Sequence, residues 1–122
     1  MTKTTGEQWK AITHYKKFKF TGKYEISSWG SIRNATTKAP LATYDSQRGH
    51  GYLKTKITDT DGVRRMVYIH TLVAIYFLEA PDQEGLEINH IDGNSLNNSY
   101  TNLEWITHKE NQREWRRLRR AS

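Results

Sequence analysis

The 122-residue sequence predicts an α+β fold, in which small antiparallel hairpins precede one amphipathic helix and a strand–loop–strand–helix unit. Three observations predict this order: two stretches that alternate apolar and polar residues around turn signals, one stretch with apolar residues at helical spacing, and a helix-capping sequence near the end. Because only 35% of the residues are hydrophobic, a large apolar core is excluded and one small domain is favoured.

The first half of the chain contains the hairpin signals. Residues 23–34 alternate around a Trp-Gly turn, and residues 51–58 and 63–69 alternate around the sequence DTDG, so both stretches predict antiparallel hairpins. From residue 69 to residue 78 the apolar positions recur at helical spacing, which predicts one amphipathic helix. We assign three tryptophans that lie near isoleucines to the core rather than to base stacking: Trp9, Trp29 and Trp105. The fourth, Trp115, is compatible with either role.

The last third of the chain predicts a strand–loop–strand–helix unit. Residues 86–88 form a short strand, residues 89–102 form an Asn- and Gly-rich loop, and residues 103–106 form the returning strand. Thr107 and Glu110 have the spacing of a capping box, in which each side chain binds a free backbone amide at the start of a helix. The start of the final helix is therefore well defined.

The charges are unevenly distributed along this basic chain, whose formal net charge is +6. Both ends are rich in Lys and Arg, whereas residues 79–104 contain six acidic residues and no Lys or Arg. This arrangement predicts a polyanion-binding surface around a site that attracts a cation. A solvated acidic loop would have the same composition, and this alternative stays open.

The sequence lacks both cysteine and long apolar segments. Without Cys there is no disulfide, no thiol nucleophile and no Cys-ligated zinc, so any metal must be bound by His, carboxylate, amide or backbone oxygen. No apolar run approaches the length that spans a bilayer, and no secretory signal is present. We therefore expect a soluble, cytoplasmic protein with no membrane partner.

The Asn-rich loop at residues 89–102 and its borders hold the side chains best suited to chemistry. His90 directly follows a predicted strand, Asn102 precedes the returning strand, and Asn111 lies in the first turn of the next helix. This order allows the three side chains to converge on one site. Asn and Gly at this density are also typical of plain turns, because both tolerate left-handed backbone conformations.

At these residues the second half of the chain resembles the phage-type HNH endonucleases, including the HNH homing endonucleases of the ββα-metal fold. An Asn-His pair, the Asn of NLEW and a helical Asn occur at the spacing of this family. The matching segments are IHTLVAIYF at residues 69–77, INHIDGNSLNN at 88–98, NLEWIT at 102–107 and KEN at 109–111. The resemblance implies a metal-dependent DNA endonuclease.

The first half of the chain resembles the small NUMOD4-like module that often precedes this nuclease core. The matching segments are EQWKAI at residues 7–12 and YEISSWGSIRN at 24–34. The resemblance therefore implies a β-rich NUMOD4-like module at residues 1–66 and an HNH nuclease core at residues 67–122 that includes an Arg-rich C-terminal helix.

The resemblance also implies a role for each residue of the site. His90 would be the general base, and Asn102 would hold its ring by a hydrogen bond. Asn89 and Asn111 would bind one divalent cation, either Mg²⁺ or Mn²⁺. Because relatives often have Asp where this chain has Asn89, we expect weaker metal binding. One site of this kind predicts a monomer that nicks one strand of double-stranded DNA, encoded by a phage or mobile element and acting in a bacterial cytoplasm.

The expected DNA contacts lie mainly near the C-terminal end, where phosphate binding by arginine would release counterions. For the arginines, the alternative is a C-terminal end that is charged and solvated without contacting DNA. For His70, the alternative is a structural role. The residues expected to contact DNA are His70, Lys109, Arg113, Arg116, Arg117, Arg119 and Arg120. His108 is a further candidate for phosphate contact. Asp92 is expected to close a turn, with a supporting role near the metal as the alternative.

Two other functions remain compatible with the sequence. A nucleic-acid-binding module of the same fold would have lost activity through the neutral Asn89. A small structural phage protein would use its basic ends to bind nucleic acid. The retention of His90, Asn102 and Asn111 at the spacing of the family favours the endonuclease over both.

Overall fold

The computed structural model describes residues 6–45, 51–81, 83–110 and 112–113. Within these residues, the predicted α+β fold is confirmed. The strands are β1 (Trp9–Ala11), β2 (His14–Tyr15), β3 (Phe18–Lys19), β4 (Tyr24–Ser27), β5 (Ile32–Asn34), β6 (Tyr44–Asp45), β7 (Leu53–Thr58), β8 (Arg64–Tyr68), β9 (Glu87–His90) and β10 (Leu103–Ile106). Helix α1 (Ile69–Phe77) lies between β8 and β9, and a single 3₁₀ turn (Tyr100–Asn102) precedes β10.

The strands form four small antiparallel sheets. The orders are β1-β4-β5, β2-β3, β6-β7-β8 and β9-β10. The two predicted hairpins of the first half are β4-β5 and β7-β8. In the second of these, the Asp59 carboxylate accepts hydrogen bonds from the amides of Asp61 and Val63 and pairs with Arg65 at 2.7 Å. This side chain therefore holds the turn that the sequence DTDG predicts.

Helix α1 follows β8 without an intervening loop. Its buried residues Ile69, Leu72 and Val73 have the spacing that places them on one face, and this face packs on the sheets. The amide of Tyr68, just before the helix, donates a hydrogen bond to the hydroxyl of Tyr15 at 3.2 Å. The first half of the chain therefore helps to position the start of α1.

One hydrophobic core joins both halves of the chain. The fully or nearly fully buried apolar residues are Ile12, Tyr15, Phe20, Ile26, Ile32, Ile57, Val67, Ile69, Leu72, Val73 and Leu103. The division expected between residues 66 and 67 falls inside β8, and residues on both sides of it contribute to this core. The two segments therefore pack as one unit in this structure, and their separation into modules stays a prediction.

Two local expectations are corrected by the structure. Asn89 and His90, expected at the start of the loop, belong to β9 and pair with Glu104 and Leu103 of β10. Trp29, expected in the core, is 52% exposed, because it occupies the tip of the β4-β5 turn. The apolar residues that fill the core beside this turn are Ile26 and Ile32, on the strands themselves.

The other two tryptophans in the described part of the chain are half-buried. The Arg33 guanidinium lies over the Trp9 ring at 3.6 Å, and the Trp105 indole donates a hydrogen bond to the carbonyl of Glu79 at 3.1 Å. Neither belongs to the buried cluster at the centre of the core. Trp115 lies outside the described residues. Among the residues described, no helix has the length and apolar character needed to cross a lipid bilayer.

Candidate active site

His90 lies at the last position of β9 and is 6% exposed. Its ring atom Nε2 lies 2.8 Å from Oδ1 of Asn98. Because an amide oxygen only accepts hydrogen bonds, Nε2 carries the hydrogen and Nδ1 has the free lone pair. Within the described part of the chain, Nδ1 has no hydrogen-bond partner. The imidazole is therefore held through one nitrogen and leaves the other available as a base.

The hydrogen bond to the His90 ring was expected from Asn102, but Asn98 makes it. Asn102 instead closes the loop that follows β9. Its Oδ1 accepts a hydrogen bond from the amide of Asp92 at 3.0 Å, and its Nδ2 donates to Asp92 Oδ1 and to the carbonyl of Asn97, both at 2.9 Å. Asn102 therefore holds the shape of the loop, and Asn98 makes the hydrogen bond to the His90 ring.

Asp92 is confirmed as a turn residue. Its Oδ1 accepts a hydrogen bond from the amide of Asn94 at 2.8 Å, and its Oδ2 accepts one from the side chain of Asn97 at 2.9 Å. Burial acts to raise the pKa of Asp92, but the hydrogen bonds from Asn97, Asn94 and Asn102 outweigh it and lower this pKa below its ordinary value. The carboxylate is therefore ionised at neutral pH.

Two aromatic neighbours, Tyr52 and His70, surround the His90 ring. The Tyr52 and His90 rings stack with centroids 5.7 Å apart and planes at 20°, and the Tyr52 and His70 centroids are 4.6 Å apart. Tyr52 comes just before β7, and it is not among the residues that the sequence predicts for the site. The sequence gives little indication that Tyr52 belongs to the site, because His70 and His90 are distant from it in the chain and lie on other elements.

Both histidines are held in the neutral state. Burial lowers the pKa of His90 below its ordinary value, and the hydrogen bond to Asn98 and the charge of Asp92 offset only part of this effect. Burial also lowers the pKa of His70 to about 4, with smaller contributions from the charges of His90 and Lys16. The Nδ1 atom of His70 is buried without a hydrogen-bond partner among the described residues.

Asn89 lies beside His90 on β9 and is 8% exposed. Its Nδ2 donates a hydrogen bond to Oε2 of Glu104, the residue opposite it on β10, at 2.8 Å. Because the amide nitrogen is bound in this way, Oδ1 is left as an acceptor without a partner among the described residues. Glu104 was not predicted as part of the site, although it belongs to the acidic segment at residues 79–104.

The donor groups at this position fit a hard divalent cation. Amide and carboxylate oxygens are the ligands that Mg²⁺ and Mn²⁺ prefer, and Asn89 presents an unengaged amide oxygen. No group of three His, Asp or Glu side chains that could bind a metal ion is present in residues 6–45, 51–81, 83–110 and 112–113. Asn111, the other predicted ligand, lies outside the described residues.

The final helix begins as predicted. The Thr107 hydroxyl accepts a hydrogen bond from the amide of Glu110 at 3.1 Å, while the Glu110 carboxylate accepts one from the amide of Thr107 at 3.0 Å. His108, Lys109 and Arg113 are exposed, and His108 pairs with Glu87 of β9 at 2.6 Å. The remaining arginines of the predicted DNA contacts lie outside the described residues: Arg116, Arg117, Arg119 and Arg120.

Two protein families match this chain over adjoining segments. Residues 67–113 match the HNH endonuclease family, and residues 7–68 match the NUMOD4 motif. The first match contains His90 and both predicted metal ligands, and the second contains the β4-β5 hairpin.

Several individual proteins are also similar to the chain. It is 36% identical over 107 residues to the DNA endonuclease I-HmuI of Bacillus phage SP01, covering 85% of this chain and 55% of that protein. It is 34% identical over 100 residues to the uncharacterized HNH endonuclease L245 of Acanthamoeba polyphaga mimivirus, covering 82% of this chain and 29% of that protein. A solved structure concerning DNA binding and cleavage by the HNH homing endonuclease I-HmuI matches with a TM-score of 0.73 and 32% identity, covering 90% of this chain and 59% of that one. The chain thus spans less than two thirds of each of these relatives.

Proposed function

Because this chain belongs to the HNH endonuclease family and carries a NUMOD4 motif before its nuclease core, we propose that it is a DNA endonuclease. The reaction is hydrolysis of a phosphodiester bond, and it leaves a 5′-phosphate and a 3′-hydroxyl. The observation that carries the proposal is the state of His90, whose Nε2 is bound to Asn98 while Nδ1 has no partner among the described residues.

His90 acts as the general base in this proposal. A water molecule attacks the phosphorus and its proton passes to Nδ1 of His90, while the bond between phosphorus and the 3′-oxygen breaks. The 3′-oxygen leaves with the electron pair of this bond and takes a proton from solvent water to give the 3′-hydroxyl. The base must be neutral to accept this proton, and burial lowers the pKa of His90 below its ordinary value. The imidazole is therefore ready to react at neutral pH.

Asn89 and Asn111 would hold the divalent cation, either Mg²⁺ or Mn²⁺, that this chemistry uses. When bound, such a cation stabilises the negative charge that develops on the phosphate and the leaving oxygen. The contribution of the chain is to orient the ligand on β9, because Glu104 holds the amide nitrogen of Asn89 and so directs its oxygen away from β10. The neutral amide of Asn89 would bind the cation less tightly than a carboxylate at the same position.

The DNA is bound through its phosphates by the basic residues that follow the site. Lys109 and Arg113 are exposed on the final helix, and the charge continues into the arginines at 116–120. His70 lies against His90, so it reaches the same phosphate region as a neutral hydrogen-bonding group. One base and one cation act on one phosphodiester at a time, so a monomer nicks a single strand.

Cleavage of supercoiled plasmid tests this function. With Mg²⁺ or Mn²⁺, open-circular DNA should accumulate before linear DNA, at a rate that is first order in protein, and EDTA should stop the reaction. The His90→Ala variant should be slower by about 10²–10⁴-fold while binding DNA normally. His14→Ala is the matched control, because His14 is exposed and contacts Tyr76 rather than the His90 ring.

Other outcomes would contradict parts of the proposal. Cleavage by His90→Ala at the wild-type rate would show that His90 is not the base. Linear product at once, with a rate that rises as the square of protein concentration, would indicate a dimer that cuts both strands.

The second candidate function is a binding module without activity, which the neutral Asn89 favours. DNA binding without cleavage under any metal condition would establish it.

A further inference from the structure

The turn between β4 and β5 packs directly against the loop that holds His90. A Cβ atom added at Gly30 would lie 2.8 Å from the Cβ of Asn98 and 3.2 Å from its carbonyl oxygen. Two residues further along this loop, the amide of Tyr100 donates a hydrogen bond to the carbonyl of Ser28 at 2.8 Å. The first half of the chain therefore contacts the residue that binds the His90 ring.

The turn that makes these contacts is internally bonded. The hydroxyl of Ser27, which is completely buried, accepts hydrogen bonds from the amides of Trp29 and Ser31. The amide of Gly30 donates to the carbonyl of Ser27 at 3.0 Å. Gly30 has φ of +90°, a conformation that side chains disfavour, so both its backbone and its contact with Asn98 require glycine. The turn is thus a fixed surface.

Asn98 depends on this surface for its orientation. Its side chain is 3% exposed, and its only hydrogen bond within the described residues is the one from His90 to Oδ1. The buried Nδ2 atom has no partner there. Gly30 lies against the Cβ and the backbone carbonyl of Asn98, so the turn fixes the point from which this side chain extends and thereby limits its orientation towards His90.

We propose that Gly30 is a positioning residue of the nuclease: the turn at residues 27–31 sets the Asn98 side chain, which in turn orients the His90 ring. The NUMOD4 segment then helps to build the catalytic site, because its turn supports the side chain that binds the His90 ring. This inference rests on the proposed role of His90 as general base. It assigns no contact between Gly30 and DNA.

Gly30→Ala tests the proposal, and Gly62→Ala is its matched control. Both glycines have positive φ, and each donates its amide to the carbonyl three residues earlier in a hairpin turn, but a Cβ at Gly62 meets nothing within 4 Å. The backbone strain is therefore similar, and only the contact with Asn98 differs. We expect Gly30→Ala to lower kcat by about 10- to 100-fold with unchanged affinity for DNA, whereas Gly62→Ala keeps the wild-type kcat.

A second readout does not need activity. In ¹⁵N-labelled protein, the Nε2 hydrogen of His90 should give a protected NMR signal, because it is buried and bound to Asn98. This signal should exchange rapidly with water in Gly30→Ala and persist in Gly62→Ala. If the wild-type protein does not cut DNA, the proposed function fails, but the NMR comparison still decides whether Gly30 positions the ring.

A double-mutant cycle separates this role from a general loss of stability. Asn98→Gly removes both the nearest contact atom and the hydrogen bond to His90, so adding Gly30→Ala to it should lower kcat no further.

If Gly30→Ala does not fold, Ser27→Ala replaces it, since it loosens the turn without adding an atom. Equal kcat and equal His90 signals in Gly30→Ala and Gly62→Ala would overturn the proposal. The proposal would also be overturned if Gly30→Ala lowered kcat in the Asn98→Gly background by as much as it does in the wild type. If Ser27→Ala is used instead, an unaltered NMR signal of His90 in that variant would overturn it.

Discussion

The imidazole rings of His70 and His90 lie 5.3 Å apart, centroid to centroid, in a site that also contains the ring of Tyr52. Burial disfavours the charged form of both imidazoles and so lowers both pKa values, and the charge of His90 lowers the pKa of His70 further. The pair therefore stays neutral at pH values at which free histidine would be partly charged. Both the stability and the activity of the protein should depend on pH for this reason.

The first prediction concerns stability and His70. Its pKa is lowered from 6.5 to about 4 in the folded protein, so between these values the unfolded chain binds more protons than the folded one. The free energy of unfolding should therefore decrease as the pH falls from 6.5 towards 4, by roughly 1–3 kcal/mol for this group. Urea unfolding at pH 7 and pH 4.5 measures the change.

His70→Phe provides the comparison for this prediction, because it keeps an aromatic ring against Tyr52 and removes the titration. The variant should lose less stability than the wild type between the two pH values, and His14→Phe should behave like the wild type. Carboxyl groups with a lowered pKa, such as Asp59 and Asp92, change the free energy of unfolding mainly at pH values below those of this comparison. An identical loss in the wild type and in His70→Phe would contradict the assignment.

The second prediction concerns the pH dependence of cleavage. Because burial lowers the pKa of His90, the base stays neutral at pH values below 6.5, and the acidic limb of kcat/KM should fall below 6.5. A plasmid-nicking profile between pH 4.5 and pH 8 at constant ionic strength would show it. An acidic limb centred above 6.5 would mean that a charged neighbour, rather than burial, controls this histidine.

The third prediction concerns Asn89 and Glu104. Asn89→Asp replaces the hydrogen bond to Glu104, 2.8 Å long, by two adjacent carboxylates that repel each other. Without metal, Tm should therefore fall, and with Mg²⁺ the half-saturating concentration for cleavage should fall as well, because the site carries more negative charge.

The double variant Asn89→Asp/Glu104→Gln is the control for this pair. The Gln side chain again donates a hydrogen bond across the two strands, so the Tm without metal should recover. An unchanged or raised half-saturating Mg²⁺ concentration in Asn89→Asp would remove this residue from the predicted ligands.

The fourth prediction separates Asn102 from the other asparagines of the loop. Asn102 uses both its nitrogen and its oxygen, so Asn102→Asp loses two donated hydrogen bonds and faces the Asp92 carboxylate. The expected cost in unfolding free energy is about 1–3 kcal/mol, since Asn102 is only 8% exposed and the new carboxylate would lie there without these hydrogen bonds. Asn94→Asp is the matched control, because Asn94 is exposed and uses only its side-chain oxygen. Equal urea midpoints for the two variants would contradict this role.

The fifth prediction concerns the arginines beyond the described residues. Replacing Arg116, Arg117, Arg119 and Arg120 by Gln should weaken DNA binding and reduce the slope of log K against log salt concentration by about 0.9 for each phosphate that an arginine no longer neutralises. Lys38→Gln should leave the slope unchanged, because Lys38 pairs with Glu25 in the first sheet. An unaltered slope in the arginine variant would indicate a solvated end.

Local sequence signals determined the hairpins, the helix and the capped start of the final helix. Each depends on residues close together in the chain: the Asp59 carboxylate binds amides two and four residues away, and Thr107 and Glu110 cap each other across one turn. The sequence likewise placed His90 where a short strand meets the Asn-rich loop, although β9 extends far enough to include it. Residue spacing is enough where the interaction is local.

Tertiary structure decided which groups surround His90. The loop offers several chemically identical amides, and the family resemblance implied Asn102 as the partner of the ring, yet the chain path turns Asn98 towards the ring and uses Asn102 to close the loop. Tyr52 and Gly30 reach the site from separate hairpins, and no local pattern encodes such contacts. The physical reason is that orientation in the site arises from packing among distant segments, whereas the sequence by itself determines only what neighbouring residues do to one another.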